Sequence, residues 1–180
     1  MIQLRRFTNL DFARLIGWMN SREMLIQWGG SSEFVYPLSE EQLRKYVLGS
    51  EGEHSSRRIY TAITEDGIAC GHIELGAINR ENQTASICRV FIASEYRGNK
   101  LCTPMIKKLL SIGFEDLGLR RIELKVFSFN SAGIRCYENA GFVKEGLLRK
   151  SQKVGDHYWD TVVMAILQEE WIRDTDMAGE

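Results

Sequence analysis

Residues 90–142 read VFIASEYRGNKLCTPMIKKLLSIGFEDLGLRRIELKVFSFNSAGIRCYENAGF. The pattern predicts a strand, a basic glycine-containing turn (95–100), a long helix, a second strand (121–129) and a short helix after Asn130 that carries Tyr137. A strand that enters a helix through such a turn is a typical phosphate site, because the turn's N–H groups and the helix's positive end both face the anion. This stretch therefore predicts a phosphate-bearing cofactor and a reaction that uses a neutral proton donor.

Length and charge exclude several classes of protein. The chain has 180 residues, enough for one well-buried core but not for two ordinary domains. With a net charge of -1, no global field recruits nucleic acid or an anionic membrane. Charge is uneven, however, because residues 97–125 hold seven basic and three acidic side chains. A basic patch in a neutral protein indicates a small anionic ligand rather than a polymer.

The metal-binding and redox residues are scattered along the chain. The four cysteines lack a C-x-x-C pair, and the simplest interpretation is free thiols in a reducing cytosol: Cys70, Cys88, Cys102 and Cys136. The three histidines have no metal-ligand spacing, so no metal site is expected. The N-terminal pattern is that of a strand and not of a signal peptide, which favours a cytoplasmic protein.

The rest of the chain predicts a single α+β (α/β) domain, residues 1–180. About four helices flank a mixed sheet of about seven strands, with strands predicted at 2–7, 59–64, 69–78, 84–92, 122–129, 142–151 and 159–167. The crossover from Ile92 through the long helix to Ile122 predicts that those two strands are parallel. The aromatic, glycine-containing segment Met24 to Leu38 is predicted to be a shaped loop.

Four of these motifs together resemble the GCN5-related N-acetyltransferases (GNAT), nearest to the branch of ribosomal-protein alanine and spermidine acetyltransferases. The motifs are the turn 94–100, the strand 121–126 and the segments 130–132 and 136–142. The resemblance implies an enzyme that moves an acetyl group from acetyl-CoA to a primary amine of a small molecule or a protein N-terminus. The amine attacks the thioester directly. An acceptor-side part (about 1–58) and an acetyl-CoA core (about 84–146) are implied.

The same resemblance implies the cofactor site and the general acid. Tyr137 matches the tyrosine that protonates the departing CoA sulfur, although an aromatic residue covering the sheet is the plainer alternative. Asn130 matches a cofactor contact and also suits a helix cap. The implied acetyl-CoA contacts are Phe91, Ile92, Arg97, Gly98, Asn99, Lys100, Leu101, Cys102, Thr103, Asn130, Ala132 and Tyr137. Lys100 departs from the family's glycine, so it is strained if that position needs a positive φ and is a phosphate contact if not.

No general base stands out. Many relatives place a glutamate on the strand 84–92, where this chain has Ser86. Glu74 is taken as the candidate base, and His72 alternates to the same face of its strand. Glu33 and a water chain are alternatives, and for each of these side chains a solvated or salt-bridged role is at least an equal alternative to that of a base. The loop Ile26 to Pro37, through Trp28, Glu33 and Tyr36, is expected to line the acceptor site, with packing of the N-terminal helices as the equal alternative.

Two rival functions remain at this stage. The first is a non-catalytic acyl-CoA-binding module of the same fold, motivated by Lys100 and the missing base. The second is nucleic-acid binding through residues 97–125, which the neutral charge and the lack of stacking aromatics in the patch argue against. We therefore expect neither a nucleic-acid nor a membrane partner. A homodimer is implied by the resemblance alone.

Overall fold

The computed structural model describes residues 2–30 and 33–171 of the chain. These residues form seven strands: β1 Gln3–Arg6, β2 Arg58–Ile63, β3 Ala69–Asn79, β4 Thr84–Ile92, β5 Arg121–Phe127, β6 Val143–Val154 and β7 His157–Leu167. They also form five α-helices: α1 Phe12–Trp18, α2 Arg22–Gly29, α3 Glu40–Val47, α4 Cys102–Ser111 and α5 Ser131–Glu138. No helix in these ranges is long and apolar enough to cross a membrane.

The strands make one mixed sheet in the order β1-β2-β3-β4-β5-β7-β6. β4 and β5 run parallel, with Thr84 opposite Arg121 and Ile87 opposite Leu124. The prediction of a parallel crossover is therefore confirmed, as is that of a mixed seven-stranded sheet. The β1–β2, β2–β3, β5–β7 and β6–β7 pairs are antiparallel.

The chain forms two compact units. The first unit comprises the described residues up to 78 together with residues 88–101, and the second comprises residues 79–87 and the described residues from 102 onward. β4 contributes its first residues to the second unit and its last residues to the first.

The first unit holds a helix that the sequence reading placed in a loop. α2 starts after Ser21, whose Oγ accepts a hydrogen bond from the Met24 N–H at 3.1 Å. It ends at Gly30, whose φ of 75° is the left-handed conformation that glycine adopts without steric cost. The cap and the terminal glycine were both visible in the sequence. The loop prediction was wrong here because Leu25 and Trp28 of α2 pack into the core rather than line a loop.

The second unit buries the apolar stripe of α4. Met105, Ile106, Leu109 and Leu110 each have 0% of their surface exposed, in agreement with the predicted helical spacing. Burying each such side chain contributes about 2 kcal/mol to folding. The helix continues into a π-helical turn at Ile112–Asp116, where the Leu117 N–H donates to the Ile112 carbonyl.

Candidate active site

In the first unit, the end of β4 and the basic turn are held together by Arg97. Its Nε donates to the Ile92 carbonyl at 3.1 Å, and its guanidinium carbon lies 5.3 Å from the centroid of the Phe91 ring. Phe91 also stacks on Trp18, with ring centroids 5.6 Å apart. The structure therefore brings Phe91, Ile92 and Arg97 together, and it leaves Gly98, Asn99 and Lys100 exposed on the turn.

The backbone at Lys100 meets the condition stated for strain, while a contact of its ammonium with a phosphate stays a prediction. Its φ is 55°, so this residue lies in the left-handed region that the family's glycine adopts easily. A residue with a Cβ is destabilised there by roughly 1–2 kcal/mol. Gly98 also has a positive φ, 81°. An exposed basic turn of this shape, directly before α4, suits the phosphates of a nucleotide cofactor.

In the second unit, four of the predicted cofactor residues lie at the starts of α4 and α5: Cys102, Thr103, Asn130 and Ala132. The Asn130 Oδ1 accepts from the Gly133 N–H at 3.0 Å, which confirms its role as the cap of α5. Ala132 lies in the first turn of that helix. The Thr103 Oγ1 donates to the Cys136 carbonyl at 3.3 Å and so joins the start of α4 to α5.

A disulfide bond joins the same two helices. Cys102, the first residue of α4, is bonded to Cys136 in α5, with the two Cα atoms 6.1 Å apart. The prediction of four free thiols was therefore wrong for this pair. It failed because 34 residues separate the partners and only the fold brings their Cβ atoms within bonding range. Cys70 and Cys88 remain thiols.

Tyr137 follows Cys136 in α5. It is 7% exposed, and its ring centroid lies 6.1 Å from that of Phe142. The side chain thus fulfils the packing role considered as the plainer alternative. A buried phenol of this kind still carries an O–H that can donate a proton.

A buried polar cluster lies in the first unit. The Tyr46 hydroxyl donates to Glu74 Oε2 at 2.6 Å and lies 3.1 Å from His72 Nε2. His72 and Glu74 share one face of β3, as their alternation predicts, and they are 1% and 2% exposed. The phenol O–H donates its hydrogen bond to Glu74. We therefore assign Nε2–H of a neutral His72 as the donor to the phenol oxygen.

Two arginines close this cluster. Arg89 Nη1 donates to Glu74 Oε2 at 2.6 Å, and Arg89 Nη2 forms an ion pair with Glu33. Arg57 Nη1 reaches Glu33 Oε1 at 3.1 Å, and Arg57 Nε lies 3.9 Å from Glu74 Oε1. The Arg89 guanidinium also lies over the Tyr46 ring, 5.1 Å from its centroid. We call Glu33, Arg57, Glu74 and Arg89 the charge cluster.

Burial shifts the pKa values of the groups in and beside this cluster. It lowers the pKa of His72 to about 3, which keeps the imidazole neutral. It raises the pKa of Glu74, although the Tyr46 hydrogen bond and the Arg57 charge oppose that rise. It lowers the pKa of Arg89 to about 10, so the guanidinium remains charged at neutral pH. The pKa of Tyr46 rises well above its ordinary value, mainly through burial and then through the Glu74 charge.

The predicted acceptor residues have different environments. Trp28 is 5% exposed, and its Nε1–H donates to the Arg89 carbonyl at 3.0 Å. Tyr36 is 44% exposed, and its hydroxyl donates to the Asn20 carbonyl at 3.2 Å. Glu33 is held by the two arginines of the charge cluster. Trp28 thus has the packing contacts of the alternative interpretation, whereas Tyr36 presents an exposed aromatic surface.

Arg89 is the residue that sequence reasoning missed, and the signal for it was present. On β4 the apolar positions alternate at 85, 87 and 91, so Arg89 falls on the buried face of the strand. A charged residue at such a position needs an ionic partner. Glu74 was noted, but their pairing depends on the register of two strands.

A family model described as an acetyltransferase (GNAT) domain matches residues 2–143. The chain belongs to the GNAT family. As a GNAT protein, it is an N-acetyltransferase that takes its acetyl group from acetyl-CoA. The resemblance inferred from the turn 94–100, the strand 121–126 and the segments 130–132 and 136–142 is confirmed.

Three relatives illustrate the range of the GNAT similarity. The chain is 31% identical over 113 residues to the putative ribosomal N-acetyltransferase YdaF of Bacillus subtilis (strain 168), covering 63% of this chain and 61% of that protein. It is 25% identical over 175 residues to a spermidine N(1)-acetyltransferase of Vibrio cholerae, covering 97% and 98%. A crystal structure of a V. cholerae spermidine N-acetyltransferase with CoA and spermine superposes with a TM-score of 0.83 at 24% identity, covering 95% and 98%.

Proposed function

We propose that this N-acetyltransferase acetylates a primary amine of a small molecule or of a protein N-terminus by direct attack of the amine on the thioester. This proposal rests on the position of Arg89. The residue lies two positions before Phe91 on β4 and binds the two carboxylates of the charge cluster. Two residues of a strand span at most about 7 Å, so the backbone of Arg89 lies within that distance of the backbone of Phe91. The polar and aromatic residues of the first unit therefore suit an acceptor beside the acetyl group.

We assign acetyl-CoA binding to the residues matched on the sequence. The exposed basic turn 97–101 would hold the phosphates through its N–H groups and side chains. Cys102, Thr103, Asn130 and Ala132 would complete the contacts at the starts of α4 and α5. The backbone of Phe91 and Ile92 would pair with the pantetheine arm and direct an N–H at the thioester oxygen, where negative charge develops during attack.

We assign the general acid to Tyr137 and keep Glu74 as the candidate base. The CoA thiolate has a pKa of about 8.5, so a phenol that is protonated at neutral pH can supply its proton. Glu74 Oε2 already accepts from Tyr46 and Arg89, so the oxygen better placed to take a proton is Oε1, 3.9 Å from Arg57 Nε. A water molecule would carry the proton between the amine and that oxygen.

The expected partners are an amine acceptor and a second copy of the chain. The ribosomal relative's name supports a protein N-terminus, and the spermidine acetyltransferase's name supports a small-molecule amine. The homodimer, the cytoplasmic location, the single domain and the absence of nucleic-acid and membrane partners stay predictions. Light scattering of the purified chain would test the dimer, for which the expected mass is twice that of the 20.7 kDa chain.

Mass spectrometry of acetylated products tests the acceptor class. The enzyme is incubated with acetyl-CoA and a mixture of monoamines, polyamines, amino sugars and peptides with unblocked N-termini. We expect one acetyl group on a primary amine nitrogen, in products that are missing without enzyme. Acetylation confined to hydroxyl or thiol groups would contradict the proposal.

A further inference from the structure

In the charge cluster, the two arginines balance the negative charges of the two carboxylates. Glu74 and Glu33 are both bonded to Arg89, and Glu33 is also bonded to Arg57. The charges of the two guanidinium groups and the two carboxylates sum to zero. The Arg89, Glu74 and Glu33 side chains are 10%, 2% and 33% exposed, so water screens the first two poorly.

The same compensation occurs at α1 and α3 of the first unit. Asp11, before α1, is bonded to Arg5 at 2.6 Å and to Arg14 at 3.0 Å. In α3, both carboxylates of the first turn pair with a basic residue four positions later: Glu40 with Arg44 and Glu41 with Lys45. The carboxylates of these segments are therefore already engaged by cations that the chain itself supplies.

We propose that the acceptor carries a single positive charge, that of the reacting amine, which it loses as a proton before attack. A polyamine is not the preferred substrate. This inference rests on the proposed function and narrows its substrate class. A second ammonium gains from a site only when it meets an uncompensated carboxylate, because otherwise it must displace a guanidinium from its hydrogen bonds. Arg57 and Arg89 act as specificity-determining residues that exclude polycations. A monoamine or a protein N-terminus with neutral neighbours fits this surface.

Matched acceptor pairs test the proposal. Thiol release from acetyl-CoA is measured with 1-aminobutane against 1,4-diaminobutane and spermidine, and with an alanine tripeptide amide against the same peptide carrying one lysine. We expect the extra ammonium to raise kcat/KM by no more than about twofold, the statistical gain from a second reactive amine. A preference of tenfold or more for the polycation would overturn the proposal.

The variant Arg57→Gln leaves both carboxylates in place and changes the summed charge of the cluster from zero to −1, with Arg89 as the remaining ion-pair partner of Glu33. We expect the ratio of kcat/KM for diamine over monoamine to rise about fivefold, the effect of one partly exposed charge pair. Arg57→Lys keeps the charge and should keep the parent ratio. Arg44→Gln removes an equal charge from α3 and is the matched control. An unchanged ratio is expected, because the Glu40 side chain is 59% exposed and water screens its charge. An equal ratio in Arg57→Gln and the parent would overturn the role of Arg57.

A thermal shift with spermidine gives a readout that needs no turnover. We expect spermidine to leave the Tm of the parent unchanged and to raise that of Arg57→Gln. A rise in the parent that Glu33→Gln abolishes would overturn the proposal, because it would place a polyamine on Glu33. If no amine releases thiol while these shifts appear as expected, the proposed function fails and the charge compensation stands.

Discussion

The two units of the chain fix their site residues by different means. In the first unit, Arg89 binds Glu74 and Glu33 through side-chain ion pairs that are largely removed from water. In the second unit, the Cys102–Cys136 bond joins the start of α4 to α5, and the Asn130 cap fixes the start of α5. The strength of each ion pair in the cluster depends on the charges of the other members, whereas a covalent bond and a helix cap act locally. Substitutions should therefore couple strongly in the first unit and weakly in the second.

The largest expected effect is that of Arg89→Gln. It leaves the buried carboxylate of Glu74 without its guanidinium, and breaking such a pair from one side costs about 4 kcal/mol of the free energy of unfolding. Urea unfolding checks the value. Adding Glu74→Gln should recover part of the loss, because no uncompensated charge then remains on that residue. Strict additivity of the two substitutions would contradict the coupled network.

The disulfide gives the next effect. The double variant Cys102→Ser, Cys136→Ser should lose roughly 3–4 kcal/mol of unfolding free energy, as expected for a closed loop of this length. Reduction of the parent with a dithiol, in which the bond takes up two electrons and two protons, should give the same loss. The control is the double variant Cys70→Ala, Cys88→Ala. It keeps the Cys102–Cys136 bond, so its free energy of unfolding should still fall when that bond is reduced. Equal stability of the oxidised and reduced parent would exclude the bond.

Tyr137→Phe should act on catalysis alone. Removal of a general acid lowers kcat about a hundredfold, which corresponds to ~2.7 kcal/mol in the barrier. The ring and its contact with Phe142 stay in place, so the dissociation constant of acetyl-CoA should be unchanged. Stopped-flow thiol release and calorimetric binding separate the two quantities. A drop in affinity with unchanged kcat would show that Tyr137 contacts the cofactor without acting as an acid.

His72 gives a pH dependence in the first unit. Its pKa is about 3 in the folded protein against an ordinary value of about 6.5, so the unfolded chain binds a proton that the folded chain does not. Its contribution is constant above pH 6.5 and falls as pH drops below that value, by about 2 kcal/mol at pH 5. His72→Gln should flatten this loss between pH 6.5 and 5. Parallel stability curves for parent and variant would contradict a neutral, buried imidazole.

Lys100→Gly has the smallest expected effect. Glycine relieves the left-handed backbone at φ 55°, but it also adds freedom to the unfolded chain, so the net gain is about 1 kcal/mol or less. Acetyl-CoA should bind at least as tightly as in the parent. A weaker and less salt-dependent affinity would instead assign a phosphate contact to the ammonium.

Local patterns were enough to predict the sheet and the position of the turn. The alternation of apolar residues in β4 and β5 and the helix between them gave the parallel pair. The charge cluster was beyond such reasoning, because Arg89, Glu74 and Glu33 come from three segments whose register only the folded sheet fixes. The disulfide had the same obstacle. The helix α2 was within reach, since Ser21 and Gly30 mark its two ends.

Amine-dependent thiol release tests the central claim that this GNAT protein catalyses acetyl transfer. Acetyl-CoA is mixed with the enzyme with and without a panel of primary amines, and the Tm is recorded with and without acetyl-CoA. We predict thiol release that requires both enzyme and amine and that is matched by an equal amount of acetylated amine. A rise in Tm with acetyl-CoA but no release with any amine would contradict catalysis and leave a protein that binds acyl-CoA without turning it over.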